Sequence, residues 1–439
     1  MYEERTDADS YINNNAVRYR RMIIEKQNAV VLRPWVKTAV VLVIFCSLGF
    51  PGTYERVFGH AFEVLIRYGI FFLQLFLMIF LSGNRVNEIK LIDIKTKYAP
   101  IYFFLTVIFV ISMIAASDKG EEVESCVRFC VTALFGMWIC DHFDVEGILS
   151  LIYRSMVLYV IAAVTFAVMF PGLYERNSDQ QTAFLGMEDT KNVTAMILLF
   201  GIIMQILLWM VRSSKNVSVS SFFVGFLAIQ GLLLVLADSK GAMVYCAAIV
   251  FLMLAAGDRV RVNVGLVSVF AGIFFLVFAM TVLPVLEPFL NAIGKDATLT
   301  GRVPLWHQLL DVIRTSHPLI GYGYAHFWYD KEALDLIHVR FSINNTFLNG
   351  LTTGAHNSLI ELWVNAGLIG LLACYTMMIA AFSRSRQLTS DRYMFCMVYM
   401  AFFTLIGFTE RVWGTFDYKM LFLFIAVALG CQKGEDKPA

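Results

Sequence analysis

Long runs of apolar residues, separated by short polar stretches, occupy most of the chain. A helix needs about 20 largely apolar residues to cross the hydrocarbon layer of a bilayer. Twelve runs approach this length, at residues 36–50, 61–82, 98–116, 123–140, 148–170, 193–211, 221–237, 241–256, 264–284, 358–382, 393–409 and 419–432. The pattern therefore predicts an all-α integral membrane protein with about twelve transmembrane helices.

The polar stretches divide the chain into five predicted parts. Residues 1–35 are polar and basic, so we expect a cytoplasmic N-terminal segment and a retained first span, not a cleavable signal peptide. Helices one to nine are expected within 36–284, helices ten to twelve within 358–432, and a cytoplasmic tail at 433–439. Residues 285–357 form one large extracytoplasmic loop between the ninth and tenth spans. Its length favours a functional role, and its helical periodicity argues against disorder.

Composition and charge narrow the class of protein and its orientation. Of the 439 residues, 58% are hydrophobic and 16% are charged, whereas soluble proteins are about 25% charged. These proportions exclude a cytosolic enzyme, a disordered scaffold and a small disulfide-stapled secreted domain. Lys and Arg concentrate in the N-terminal segment and in alternate short loops, which predicts that both termini are cytoplasmic. The net charge of +1 gives no reason to expect a nucleic-acid partner.

The remaining polar residues of interest recur on the predicted external side. They are Lys191 and Asn192, the tripeptide 238–240, Arg302, His356 and Asn357, and Glu410 and Arg411. Charges near the membrane usually line a cavity or pair with each other. The alternative is that each basic side chain extends separately to the lipid headgroups. Five such positions on one face, beside a large loop, favour a shared cavity.

The segment around Arg302 has the features of a helix start. Thr300 can cap the helix, and Pro304 is tolerated in its first turn. An apolar stripe follows at Trp306, Leu309, Leu310 and Ile313, with His307, Asp311 and Arg314 opposite. Helical spacing puts Arg302 at the head of the apolar stripe, where free amides and the helix dipole help to hold an anion. The alternative is an Arg that pairs with headgroups.

An aromatic cluster and one histidine complete the candidate site. Tyr322 and Tyr324 lie in a glycine-containing turn followed by further aromatics, which we interpret first as an interfacial belt and second as a surface for sugars. His356 is expected to open a helix, whose dipole favours the neutral imidazole of a general base, although a structural histidine is the alternative. Asn357 and Glu361 share a neighbouring face of that helix. The histidines lack metal-ligand spacing, so no metal or other cofactor is expected.

Several of these motifs, taken in order, resemble the bacterial O-antigen ligase and Wzy-type polymerase superfamily. They are Thr300-Gly301-Arg302 with Trp306, the segment 318–323, and His356-Asn357-Ser358-Leu359 with Gly367 and Gly370. The similarity is strongest across residues 300–372, and residues 186–192 resemble a glycine–lysine–asparagine segment of the exopolysaccharide polymerase branch. The family often has Ser-Arg-Gly where this chain has Ser239-Lys240-Gly241, so Lys240 lacks the bidentate fork of arginine.

The resemblance implies a GT-C-like membrane fold and a metal-independent, inverting glycosyltransferase at the external face of the bacterial inner membrane. The implied partners are an undecaprenyl-diphosphate-linked oligosaccharide, the lipid bilayer and other polysaccharide-export components. Arg302 is expected to neutralise the diphosphate leaving group, and His356 to activate the acceptor hydroxyl. The residues expected to bind diphosphate and glycan are Lys191, Asn192, Lys240, Arg411, Asn357, Glu361, Trp306, Tyr322 and Tyr324.

Three functions stay open on the sequence. The first is a polymerase of exopolysaccharide or O-antigen, which the Lys191-Asn192 segment favours. The second is an O-antigen ligase that transfers the glycan to lipid A core. The third is a secondary transporter or lipid flippase, which usually has polar residues near the bilayer midplane in broken helices. The predicted spans are almost free of charge at that depth, which favours an enzyme.

Overall fold

A computed structural model describes residues 34–49, 59–82, 96–170, 183–188, 190–256, 261–292, 299, 301–333, 335, 354–413 and 417–432. The chain divides into two units, residues 1–40 and residues 41–439. The described part of the first unit, 34–40, is the beginning of the first helix. All other described residues belong to the second unit, and the regular elements in them are helices.

Most of the described chain lies in fourteen α-helices. They are α1 (Pro34–Leu48), α2 (His60–Ser82), α3 (Ala99–Ala115), α4 (Lys119–His142), α5 (Val145–Met169), α6 (Lys191–Ser214), α7 (Ser221–Leu236), α8 (Lys240–Ala256), α9 (Val264–Thr281), α10 (Glu287–Ala292), α11 (Arg302–Thr315), α12 (Ser358–Ala381), α13 (Ser390–Gly407) and α14 (Tyr418–Cys431). Short 3₁₀ turns lie at Pro284–Leu286 and Ser385–Gln387.

Each of the twelve apolar runs predicted from the sequence coincides with one of these helices. The two described helices outside these runs are α10 and α11. Five of the twelve, α4, α5, α6, α9 and α12, are long and apolar enough to cross a membrane. The apolar parts of six others, α1, α2, α3, α7, α8 and α14, are shorter. The prediction of a helical membrane protein is confirmed, whereas the count of twelve crossings stays a prediction.

The core is built around α14. This helix has 14 residues, so it is roughly 21 Å long, and its residues from Met420 to Gly430 are buried on every side. It packs against α3, α4, α12 and α13. A helix that is apolar all round belongs in the interior of a bundle, and the short length of α14 is compatible with a position there.

Polar contacts show which residues lie at each end of the helix bundle. At one end, Glu146 accepts hydrogen bonds from Arg212 (3.3 Å) and Lys215 (2.9 Å). At the other end, Lys191 pairs with Asp238 across the starts of α6 and α8. Because Lys191 and Arg212 lie near opposite ends of the 24-residue helix α6, roughly 32 Å of helix separate them. The predicted cytoplasmic and external residues of α6 therefore lie at opposite ends, and which end faces the cytoplasm stays a prediction.

The tenth predicted span, α12, is broken at Gly367, which adopts φ 65° and ψ −174°. The segment 318–323 fills the break. Tyr322 N donates to the Val364 carbonyl (3.1 Å), and Leu368 N donates to the Pro318 carbonyl (3.0 Å). A Cβ on Gly367 would overlap the Leu319 carbonyl. The glycine-containing turn singled out in the sequence is therefore where one backbone approaches another closely.

The predicted long loop contains the helix expected at its centre. Helix α11 begins at Arg302, and the apolar stripe from Trp306 to Ile313 is buried, as predicted. The cap differs from the prediction. Gly301 is the N-cap in a left-handed conformation (φ 83°) without a side-chain cap, whereas Thr300 lies outside the described residues.

Candidate active site

Glu410 joins the two residues that the sequence predicts to be catalytic. Its Oε1 lies 3.0 Å from the Arg302 guanidinium, and its Oε2 lies 3.5 Å from Nδ1 of His356. Arg302 is the first residue of α11, His356 precedes α12, and Glu410 follows α13. One carboxylate therefore brings together three segments that are far apart in the sequence.

The Arg302 guanidinium has a hydrogen-bond donor that no described residue uses. Its side chain is 17% exposed, and one terminal nitrogen donates to Glu410. Its Nε is buried and has no hydrogen-bond partner among the described residues. A buried donor without a partner is unfavourable by about 1–3 kcal/mol, so an oxygen ligand at this position would remove that cost.

The pKa of Glu410 is lowered in this setting although the side chain is largely buried. Burial by itself raises the pKa of its carboxyl group, but the adjacent His356 imidazole and the charges of Arg302 and Lys419 outweigh that effect. The net result is a pKa below the usual value for glutamate. An ionised carboxylate beside an imidazole orients the ring and favours the tautomer whose proton lies on the facing nitrogen.

His356 lies just before its helix, not within it. Asn357 is the N-cap of α12, and its Oδ1 accepts from the amides of Leu359 (3.0 Å) and Ile360 (3.2 Å). The prediction that His356 opens the helix was wrong, because Asn357 takes the capping position. His356 itself has φ 49°, a left-handed conformation that costs roughly 1–3 kcal/mol in a residue with a side chain.

Ala355, the residue before His356, is held by hydrogen bonds at both its carbonyl and its amide. The carbonyl of Ala355 accepts from Nε1 of Trp306 (2.8 Å), and its amide donates to Oε2 of Glu361 (2.7 Å). Trp306 and Glu361 are both fully buried. These two predicted substrate-binding residues thus hold the backbone that presents His356, and any contact of theirs with substrate stays a prediction.

Glu361 is also the centre of a second buried network. Its Oε1 accepts from Nε1 of Trp328 (3.0 Å) and lies 3.4 Å from Nε of Arg411. Asn365 donates to the same oxygen (3.3 Å). Arg411 is 31% exposed and also donates to the Trp413 carbonyl. Arg411 therefore compensates a buried carboxylate, and its predicted contact with the diphosphate is not tested by this arrangement.

The aromatic residues that follow α11 are mainly in the core. Tyr322, Tyr324, Phe327 and Trp328 are each at most 6% exposed, whereas Tyr329 is 64% exposed. Tyr324 packs on Phe129 of α4 with ring centroids 4.3 Å apart. The burial contradicts the interpretation as an interfacial belt. The assignment of Tyr322 and Tyr324 to substrate binding stays a prediction.

The other predicted polar residues form a second group at the same end of the bundle. Lys191 pairs with Asp238 (3.3 Å), and the Ser239 hydroxyl donates to Oδ1 of Asn192 (3.0 Å). Lys240, the first residue of α8, is exposed and has no ion pair among the residues that the structure describes. Its side chain is therefore accessible to a ligand.

Helix α8 connects the two groups. Five residues after Lys240, the Tyr245 hydroxyl lies 2.9 Å from the hydroxyl of Thr409, the neighbour of Glu410. Five residues correspond to roughly 7.5 Å along a helix, so Lys240 lies about one and a half turns from Tyr245, whose partner Thr409 adjoins Glu410 in the chain. The sequence placed all these residues on one face, but it did not identify Glu410 as the connection. The only indication of Glu410 in the sequence was its position beside Arg411, after the eleventh predicted span.

Comparisons with known proteins agree with the family that the sequence resembles. A family model described as O-antigen ligase matches residues 224–375, a segment that contains Lys240, Arg302 and His356 and ends before Glu410. The exopolysaccharide production protein ExoQ of Rhizobium meliloti (strain 1021) is 24% identical over 360 residues, which are 74% of this chain and 78% of that protein. The resemblance to the O-antigen ligase and polymerase superfamily is therefore confirmed, and it falls on residues 224–375 of a multi-pass helical membrane protein.

Proposed function

We propose that the protein is a glycosyltransferase that polymerises undecaprenyl-diphosphate-linked glycan units at the external face of the inner membrane. The observation that carries the proposal is Glu410, within 3.5 Å of both Arg302 and His356. A cation for the leaving group and a base for the acceptor are thus held by one carboxylate. Twelve crossings, cytoplasmic termini and an external loop at 285–357 are part of the proposal.

In this reaction, the acceptor hydroxyl attacks the anomeric carbon on the face opposite the diphosphate. The bond between the anomeric carbon and the phosphate oxygen breaks, and its electron pair leaves with the diphosphate. His356 takes the hydroxyl proton at Nε2, because Glu410 faces Nδ1 and keeps the proton there. Inversion of the anomeric centre follows from this single displacement.

Arg302 stabilises the negative charge that develops on the diphosphate. Its buried Nε has no partner among the described residues, so it can donate to a phosphate oxygen while a terminal nitrogen remains on Glu410. Lys240, exposed on the neighbouring α8, supplies a second positive charge. Fixed cations of this kind can stabilise a leaving diphosphate without a metal ion.

The test is a host strain that carries the gene with His356→Ala. We expect polymer to be lost, because removal of a general base lowers rates by about 10²–10⁴-fold, while the amount of protein in the membrane stays unchanged. His307→Ala is the matched control, since His307 is exposed on α11. Polymer at the wild-type level in the His356→Ala strain contradicts the assigned role.

A ligase that attaches finished glycan to lipid A core is the second candidate, and the description of the matching family model favours it. The name of the relative, an exopolysaccharide production protein, and the Lys191-Asn192 segment favour the polymerase. A deletion strain separates them by gel analysis of its lipid-linked glycans. Loss of long chains supports the polymerase, whereas full-length lipid-linked chains that are no longer attached support the ligase.

A transporter or lipid flippase is a third candidate because α12 is discontinuous at Gly367, and discontinuous helices are common in transporters. The break, however, is filled by the backbone of residues 318–323. The Arg302–Glu410–His356 group lies instead at the helix ends. This position favours an enzyme. Movement of a lipid-linked glycan by His356→Ala protein at the wild-type rate, without transfer, would support the transporter.

A further inference from the structure

His356 has a backbone conformation that residues with side chains rarely adopt, with φ at 49°. Such a conformation persists only where the surrounding structure fixes it, and it is concentrated at functional sites. In this protein, side chains from distant parts of the sequence hold the residues on both sides of the histidine.

The residue before the histidine is tied to helix α11. The indole Nε1 of Trp306 donates to the Ala355 carbonyl (2.8 Å), and the Ala355 amide donates to Oε2 of Glu361 (2.7 Å). Trp306 lies four residues after Arg302, which is about one turn of the same helix. The helix that presents the cation for the leaving group therefore also fixes the peptide that precedes the base.

The residue after the histidine is tied to the segment that contains Glu410. Asn357 caps α12 through its Oδ1, and its Nδ2 donates to the Phe408 carbonyl (3.2 Å). Phe408 is two residues before Glu410 in the chain. Trp413, three residues after Glu410, donates from its Nε1 to the Ser358 carbonyl (3.1 Å). The start of α12 is therefore joined to the chain on both sides of Glu410.

The side chains that hold the residue before the histidine are less accessible than the charged groups beside it. Trp306 and Glu361 are 0% exposed, whereas the side chains of Arg302 and His356 are 17% and 28% exposed. The single N–H of the Trp306 indole is already used. Oε1 of Glu361 faces donors from three other side chains. A substrate can therefore reach the cation and the base, but it meets no accessible polar atom of Trp306 or Glu361.

We propose that Trp306, Glu361 and Asn357 are positioning residues that act through the backbone of His356. They fix the peptides on both sides of the histidine, and so they set the direction of its imidazole toward Glu410 and the acceptor. The inference rests on the proposed function for the role of His356 as base and adds the residues that place it. Direct contact of these side chains with substrate, which the sequence predicts, is the alternative. A base must be oriented accurately, because displacement by about 1 Å can lower a rate roughly 100-fold.

The first experiment removes one hydrogen bond and keeps the shape of the side chain. Trp306 is replaced by benzothienylalanine, in which sulfur takes the place of the indole N–H. The purified full-length protein, in vesicles of phosphatidylethanolamine and phosphatidylglycerol, is supplied with the lipid-linked glycan that a strain without the gene accumulates. We expect kcat to fall at least about tenfold, while the KM for this glycan changes by less than about twofold.

The matched control is the same replacement at Trp363, whose Nε1 donates to the Pro318 carbonyl (3.1 Å). This control should leave kcat unchanged. An unchanged kcat after replacement of Trp306 means that its hydrogen bond to Ala355 does not place the base, and it overturns the proposal. A raised KM with an unchanged kcat means that the indole contacts substrate, and it overturns the proposal as well.

Asn357→Ser tests the other side of the histidine. Serine is also a good N-cap, so the variant keeps the cap of α12 but loses the amide that donates to the Phe408 carbonyl. Asn263→Ser is the matched control, because Asn263 caps α9 and donates from Nδ2 to the Ile379 carbonyl (2.9 Å). We expect both variants to lower the melting temperature by similar amounts, whereas only Asn357→Ser lowers kcat by at least about tenfold. Equal kcat values in the two variants contradict the proposal. Asn357→Ser decides the kinetic question if the replacement at Trp306 prevents folding.

Hydrogen exchange measures the fixed backbone without turnover, so it separates this inference from the proposed function. The Ala355 amide donates to a buried carboxylate, so it should exchange slowly in wild type and at least about tenfold faster after the replacement at Trp306. Faster exchange, together with normal polymer formation by His356→Ala protein, retains the fixed backbone and rejects the transferase mechanism. Unchanged exchange, together with loss of polymer in His356→Ala protein, retains the base and overturns the positioning role.

Discussion

Arg302 forms an ion pair with Glu410, and in the proposed reaction it must bind a diphosphate as well. The two demands are compatible because guanidinium has five N–H donors in a planar fork. One of its terminal nitrogens contacts Glu410, and the Nε is unused among the described residues. Lysine has the same charge but a single nitrogen, so it cannot hold two anions in fixed directions.

Arg302→Lys should therefore lower the rate of transfer by at least about tenfold although it conserves the charge. The effect should appear mainly in kcat, because the leaving group gains its negative charge in the transition state. Initial rates with a lipid-linked donor measure this. Arg314→Lys, on an exposed position of the same helix α11, is the control, and equal rates for both variants would count against contact between Arg302 and the diphosphate.

Glu410 should make the stability of the protein depend on pH in a defined direction. Its pKa in the folded protein is below the usual value of 4.5, so its contribution is complete above that value and is lost as the pH falls through the lower, folded pKa. The melting temperature of Glu410→Gln should lie below that of wild type at neutral pH. The difference should shrink as the pH falls below 4.5. A difference that stays constant down to pH 3, or that shows equally in exposed Glu332→Gln, contradicts this account.

The break in α12 depends on an interaction between two elements, not on the helix alone. Gly367 permits a left-handed conformation, and its missing side chain leaves room for the Leu319 carbonyl. Gly321 makes the reciprocal approach to the Asn365 carbonyl. The sequence predicted a glycine-containing turn around Tyr322, but it also predicted one continuous span at 358–382.

Gly367→Ala should destabilise the protein by at least about 2 kcal/mol, because the new Cβ meets a backbone carbonyl and disfavours the left-handed φ. Thermal unfolding in detergent measures this. Gly231→Ala on α7 is the matched control, since a Cβ there meets nothing within 4 Å. A melting temperature for Gly367→Ala equal to that of the control would mean that the segment 318–323 can move away from α12.

The charges at the two ends of the bundle predict the orientation of the whole molecule. Lys215 and Arg212 gather at one end with Glu146, and the candidate active site lies at the other. We predict that the end with Lys215 is cytoplasmic. Green fluorescent protein fused after residue 439 should then fluoresce, and alkaline phosphatase inserted after residue 333 should be active. Both reporters are independent of catalysis, and an active phosphatase at the C-terminus reverses the predicted orientation.

Most of the helices could be predicted from the sequence because the cause of each is local. An apolar run must satisfy its backbone hydrogen bonds internally when it lies in lipid, so it becomes a helix wherever it occurs. The same holds for α11, whose buried stripe follows from residue spacing within one helix. The cap of α11 was not predicted, because the left-handed Gly301 replaces a side-chain cap.

The sequence by itself determined the helical membrane class, the apolar segments, and the candidate roles of Arg302 and His356. Only the tertiary structure decided that Glu410, 108 residues from Arg302 along the chain, joins these two side chains. Only the tertiary structure decided that 318–323 enters α12. Periodicity reports how residues repeat within one element, whereas these contacts depend on how separate helices pack. No local pattern along the chain encodes the distance between two helix ends.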